Sequence, residues 1–350
     1  MDPIQDAQPT QSRKRARTDG AEDSSSGTSS SATVTVEQDA ELWLEDGNIV
    51  IVAGDLAFRA YRGILARRSE VFRDLFSIPN PQQLETMDGV PVVRVSDSPE
   101  ELRYLLMVLC CGTNYFNEQD EAIAIKFPVL SALIRLSHKY AVHDVLNQAL
   151  SRLKKHRKSL GWKVAKPGSA SSRYVDMEPK DAIAVVHLAV LTDTSTLLPS
   201  AYLQCTSLGP ELFERAGQPD GLSAHDLSRI INGKALLVEE GAKMIFVALK
   251  CLTCSYDNCL VQPDVDCQDA AKRLLRMSAV RNLVRLTSLQ EISDCNGEIL
   301  NLVWAEYDPL LCKACIASFH EDVLYRLQHV WARLPGIFDL PNDGWDVAPT

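Results

Sequence analysis

The chain lacks any apolar run approaching the roughly 18 residues a membrane span needs, so it is not expected to cross a bilayer. Residues 1–32 have no apolar core and do not read as a secretory leader. The protein is therefore expected inside the cell. No G-x-S-x-G, phosphate-binding loop, dinucleotide glycine pattern or H-E-x-x-H occurs. With no motif marking a nucleophile, phosphate cradle or catalytic metal, no enzymatic activity and no catalytic residue are expected. Basic residues are in the minority, 36 Lys and Arg against 46 Asp and Glu, for a net charge of −10. DNA binding draws on Lys and Arg that replace counterions on phosphate, so direct nucleic-acid binding is not expected. Aromatics make up only 7%. Trp43, Trp304 and Trp331 do not sit among interleaved Arg or Lys, and they read as core or interface anchors rather than base-stacking platforms.

What is present fits a two-domain protein. The 350 residues are 46% hydrophobic and 23% charged, an ordinary globular mixture at roughly 100–200 residues per domain. Residues 1–33 are rich in Ser, Asp, Gln and Pro and cannot bury enough surface to offset ordering entropy, so a disordered tail is expected. Within it, Arg13, Lys14, Arg15 and Arg17 form a short basic cluster of the kind nuclear import receptors read. The alternative is a solvated charge run. On the first reading the protein is nuclear or nucleocytoplasmic.

Residues 34–156 form the first ordered block. Ile49 to Val52 is a strand, Ala53-Gly54-Asp55 a turn, and the segment around Leu56 and Phe58 a second strand. A helix follows, carrying Ile64, Leu65, Val71, Phe72, Leu75 and Phe76 toward one core. Val92, Val93 and Val95 make another strand. Ser98, Pro99 and Glu101 predict a capping box opening a helix with Leu102, Leu105, Leu106 and Leu109 on one face and Gly112 at its end. Two more helices carry Leu130, Leu133 and Ile134, then Leu146, Ala149, Leu150 and Leu153, the last closing on Lys154 to Lys158. Residues 157–178 are turn and coil material and read as a linker. Residues 179–345 read as mostly helical, from Asp181–Leu191 to a last helix with Leu324, Leu327, Trp331 and Leu334. In this block His187 reads as a core histidine and His225-Asp226 as a helix-start pair.

Several of these residues carry a family resemblance over about residues 40–155. Asp46, Ile49 to Val52, Phe58, Leu65, Ser69, Phe72, Phe76, Leu105, Leu106, Gly112 and His138-Lys139-Tyr140 resemble the pattern of the BTB/POZ domain. Tyr61 departs from it, standing where the family often has His. The resemblance implies an α+β fold, a small sheet flanked by helices, followed here by an α-helical C-terminal region. It implies protein–protein interaction, with self-association that often pairs a first strand or helix between chains. The apolar run Leu42, Trp43 and Leu44, with Asp46, Leu65 and Phe72, is the expected interaction surface. A cullin scaffold is a further partner the family admits. Its binding loop maps to residues 79–90, where Leu84-Glu85 only approximates the apolar-x-Glu signature. Two alternative functions follow, a substrate adaptor of a cullin-based ubiquitin ligase and a nuclear transcriptional regulator acting through a partner. Asp308 to Cys315, Arg326, Trp331, Leu334-Pro335 and Phe338 to Pro341 resemble the C-terminal signature of BTB proteins expanded in mushroom-forming fungi.

Ten cysteines without an export signal are expected as thiols or metal ligands rather than disulfides. Cys251-x-x-Cys254 and Cys312-x-x-Cys315 are each spaced to offer two thiolates to a tetrahedral zinc. The fungal resemblance favours Cys259 and Cys267 as partners of Cys312 and Cys315, with Cys251 and Cys254 as alternative partners. Structural zinc is the cofactor this implies. The alternative is that these are buried small hydrophobes.

Overall fold

A computed structural model describes residues 36–77, 85–112, 124–165, 174–214, 221–253, 266–276 and 312–345. The tail and its basic cluster, Arg13, Lys14, Arg15 and Arg17, lie outside the described residues. Among the described residues no helix is long and apolar enough to cross a membrane.

The first domain is built on a five-stranded sheet. Its strands are β1 (Glu37–Trp43), β2 (Ile49–Ala53), β3 (Leu56–Ala60), β4 (Thr86–Met87) and β5 (Val90–Val95), in the spatial order β1-β3-β2-β5-β4. β2 is the centre and is buried on both faces, which is why Ile-Val-Ile-Val-Ala reads as a continuous apolar run. Ile49, Ile51 and Ala53 face the helices, while Val50 and Val52 pack with Ala57, Val90 and Val92 on the other face. β2 and β3 pair antiparallel through a two-residue turn in which Gly54 takes φ +56°, a conformation that needs little from glycine. β1 runs parallel to β3 and β2 parallel to β5.

The expected single helix after β3 is two, α1 (Arg62–Arg68) and α2 (Glu70–Ser77). Ser69 breaks it in an extended conformation. Its hydroxyl accepts the Phe72 amide at 3.0 Å and donates to the Tyr140 carbonyl at 2.6 Å. Serine offers the backbone this alternative to a helix interior. The break aims Leu65 and Phe72 into the core and leaves Ile64 and Val71 37% and 38% exposed, so those two do not face the core as their spacing suggested.

α3 (Pro99–Cys110) starts with Ser98 at its N-cap and Pro99 in its first turn, but the predicted capping box is absent. Glu101 instead forms an ion pair with Arg135 of α4 (Phe127–Lys139), and a carboxylate engaged there is not free to reach back to the cap. Gly112, at φ +69°, follows the helix end as expected.

The segment 157–178 is not a linker throughout. α5 (His143–Ala165) runs through residues 157–165, and β6 (Ile125–Lys126) pairs in parallel with β7 (Val175–Asp176). The basic run therefore lies within the helix rather than at its end. His156 and Arg157 are buried there, with the Arg157 guanidinium 4.9 Å from the Trp345 ring centre. An extended aliphatic stem and a cation–π contact make burial of this arginine tolerable.

The C-terminal region is helical. Among the described residues it contains α6 (Ala182–Leu191), α7 (Leu198–Cys205), α8 (Glu211–Glu214), α9 (Ala224–Thr253), α10 (Cys267–Arg276), α11 (Lys313–Ala332) and α12 (Leu334–Ile337). α9 joins into one 30-residue helix the segments that read as separate. At its start Ser223 accepts the Asp226 amide at 3.0 Å and donates to the Asp226 carboxylate at 2.6 Å, so Asp226 serves the cap. His187 is half-buried on α6 rather than enclosed in the core. α4 is a wall shared by two cores: Leu133 and Leu136 pack toward the sheet, and Leu130 and Ile134 toward the C-terminal helices. The C-terminal region thus completes the burial of the first domain's last helices.

Candidate interaction surface and cysteine cluster

The expected interaction residues divide into two sets. Leu42, Leu65 and Phe72 are fully buried in the chain's own core and are not available to a partner. The spacing that marked them as apolar and exposed marks them equally as the inward face of β1 and of the paired helices. Phe72 stacks on Tyr140 with ring centres 4.5 Å apart and planes 8° from parallel. Trp43 and Leu44 are half-buried, and Trp43 packs against the Val50, Val52 and Val92 face of the sheet. Asp46 is exposed and accepts a hydrogen bond from the Tyr61 hydroxyl. That bond and the carboxylate's charge raise the Tyr61 ionisation above its ordinary value, the bond acting most strongly. Tyr61, which departs from the family pattern, is therefore the partner of Asp46, which matches it.

β1 lies at one edge of the sheet, and its outer edge has no partner strand among the described residues. Asp39 anchors it. The carboxylate is buried, accepts the backbone amides of Glu41 and Leu42 at 2.9 and 2.8 Å, and pairs with Arg103 of α3 at 2.6 Å. These bonds satisfy the charge that burial would otherwise penalise. The sequence reading missed Asp39. Its partner lies 64 residues away, so no local spacing announces it.

The cullin-loop position Leu84 lies outside the described residues. Glu85 is described, and its carboxylate is engaged by Arg94 of β5 at 2.9 Å. That contact holds the glutamate below the ordinary carboxylate range. A shallow cleft of about 340 Å³ lies between α1, α2 and the start of α5, lined by Arg67, Arg68, Glu70, Arg73, His143 and Asp144. Arg68 reaches Asp144 across it at 2.6 Å.

The cysteines divide by environment. Burial pushes the Cys110 thiol up to about 11 and the Cys205 thiol up to about 12, which makes both poor nucleophiles at neutral pH. Cys267, Cys312 and Cys315 converge, all buried, with their sulfurs within 4.8 Å of one another. Cys267 is the first residue of α10, Cys312 is the N-cap of α11, and Cys315 lies in the first turn of α11. The Cys312 amide donates to the Cys267 sulfur at 3.1 Å. Cys254 and Cys259 lie outside the described residues, as does the side chain of Cys251.

Residues 44–157 match the family model of the BTB/POZ domain. No curated protein matches the chain. The match begins just after β1 and runs into α5, so it covers β2 to β5 and the helices packed on them. The fold is accordingly α+β, a BTB/POZ domain with a curled sheet flanked by helices and a mostly helical C-terminal region. BTB/POZ domains are in general protein–protein interaction modules.

Proposed function

We propose that this chain is a non-enzymatic interaction protein that self-associates through its BTB/POZ domain and presents its helical region to a further partner. The observation that carries the reading is the BTB/POZ match over residues 44–157. The placement of β1 supports self-association along that strand. It is an edge strand seven residues long, with no partner strand on its outer side among the described residues and a buried anchor at Asp39. An edge of this kind is a template for pairing with another chain. Trp43 and Leu44, half-buried at the end of the strand, supply apolar surface beside it. We further propose, from the sequence signature running from Asp308 to Pro341, that the chain groups with the BTB proteins expanded in mushroom-forming fungi.

The test is to co-express two differently tagged copies of the full chain and purify through one tag. Recovery of the second tag supports self-association, and loss of that recovery in the Trp43→Arg variant supports the β1 end as the surface. Clean separation of the two tags at micromolar concentration counts against the reading.

A further inference from the structure

Among the described residues three cysteines meet at one point, Cys267 on one helix and Cys312 and Cys315 at the start of another, 45 residues further along the chain. A thiol that is only a small apolar filler has no reason to seek other sulfurs. Cys205, buried in the same core, does not join them. The geometry has three features that suit a cation held between the sulfurs. Two helix N-termini, those of α10 and α11, meet at the cluster and supply its sulfurs. The Cys312 amide donates to the Cys267 sulfur. Cys312 and Cys315 span the first turn of α11 with the two-residue spacing that lets both sulfurs face one ion.

A metal ion that displaces the thiol protons would offset the charge of three sulfurs held this close together. A zinc ion with bonds of about 2.3 Å to sulfur sets neighbouring sulfurs about 3.8 Å apart at the corners of a tetrahedron. The observed limit of 4.8 Å is close enough for side-chain rotation alone to supply the difference. Asp266, the acidic residue adjoining Cys267, is already engaged. Asp266 accepts the amides of Gln268 and Asp269 at 2.9 and 3.0 Å as the cap of α10.

We propose that Cys267, Cys312 and Cys315 are thiolate ligands of a structural zinc ion that fastens α10 to the start of α11. The ion carries no chemistry in this reading. It offsets the charge of the sulfurs and joins two helices that are distant in sequence. The inference is independent of self-association through the BTB/POZ domain.

The test uses the full chain purified under reducing conditions, with metal content measured by inductively coupled plasma mass spectrometry. About one zinc per chain is expected. Cys315→Ser and Cys267→Ser should each lose the metal, while Cys111→Ser, at an exposed position, keeps it. If the first two variants fail to fold, the wild-type chain serves. Titration with a mercurial thiol reagent should then release zinc to a chromogenic chelator, and replacement by cobalt should give sulfur-to-metal charge-transfer absorption. Absence of zinc from the wild-type chain together with no cobalt charge-transfer band overturns the proposal. So does zinc retained in full by a folded Cys267→Ser variant.

Discussion

The Ser69 hydroxyl donates to the Tyr140 carbonyl at 2.6 Å, joining the break between α1 and α2 to the end of α4 across 71 residues of sequence. The same oxygen accepts the Phe72 amide, so one side chain ends α1, starts α2 and pins both to the helix beneath. Phe72 then lies flat on the Tyr140 ring. Ser69→Ala removes both bonds and strands a buried carbonyl and amide. Such a loss costs about 1–3 kcal/mol. Urea unfolding should show a lower midpoint with an unchanged slope.

Tyr140 and Tyr202 should resist ionisation. Burial, followed by hydrogen bonds to Asp97 and Asp226 respectively, raises both phenols well above the usual tyrosine value. For a group raised in the fold, the stabilising contribution is complete below the unfolded value of about 10. It is lost as pH rises from there toward the folded value. Phenolate absorbance should therefore account for fewer than the nine tyrosines until the chain unfolds in alkali. Tyr140→Phe should flatten the alkaline loss of stability. Full ionisation of all nine in the folded chain would contradict the assignment.

Gly233 is fixed by what it faces. A Cβ there would lie 2.2 Å from the Phe338 ring, which is itself buried edge-on against Tyr202. Alanine is favoured over glycine within a helix by about 1 kcal/mol, so propensity alone predicts that Gly233→Ala stabilises α9. The clash reverses the sign, and a net loss of about 1–3 kcal/mol is expected from overpacking. Adding Phe338→Leu to Gly233→Ala should recover part of the loss, read as the shift in thermal midpoint.

Asp39→Ala should loosen β1 more than it lowers global stability. Arg103 is partly exposed and can rehydrate once unpaired, but the Glu41 and Leu42 amides lose their acceptor. Amide hydrogen exchange should accelerate across residues 37–43 while β2 remains protected. Uniform acceleration through the whole sheet would show that Asp39 supports the fold rather than the edge.

The first domain was legible in its elements because its signals are local. The β2 run, the Gly54 turn and the leucine face of α3 each lie within a few residues, and each appears where its pattern placed it. What failed depended on distance. Ser69 broke a helix that periodicity drew as continuous, because its partner Tyr140 was not visible from the spacing. Glu101 left its capping box for Arg135. Leu42, Leu65 and Phe72 read as a possible surface because apolar spacing does not say which body a face packs against. The cysteines show the opposite case. The Cys312-x-x-Cys315 spacing was local, and the fold brings Cys267 to it.

Self-association is the centre of the account, and sedimentation velocity on the full chain across the micromolar range tests it most directly. The predicted result is a dominant species of at least twice the 38.7 kDa of one chain, shifting to a single chain in Trp43→Arg. A wild-type protein that sediments as one chain throughout that range would contradict it.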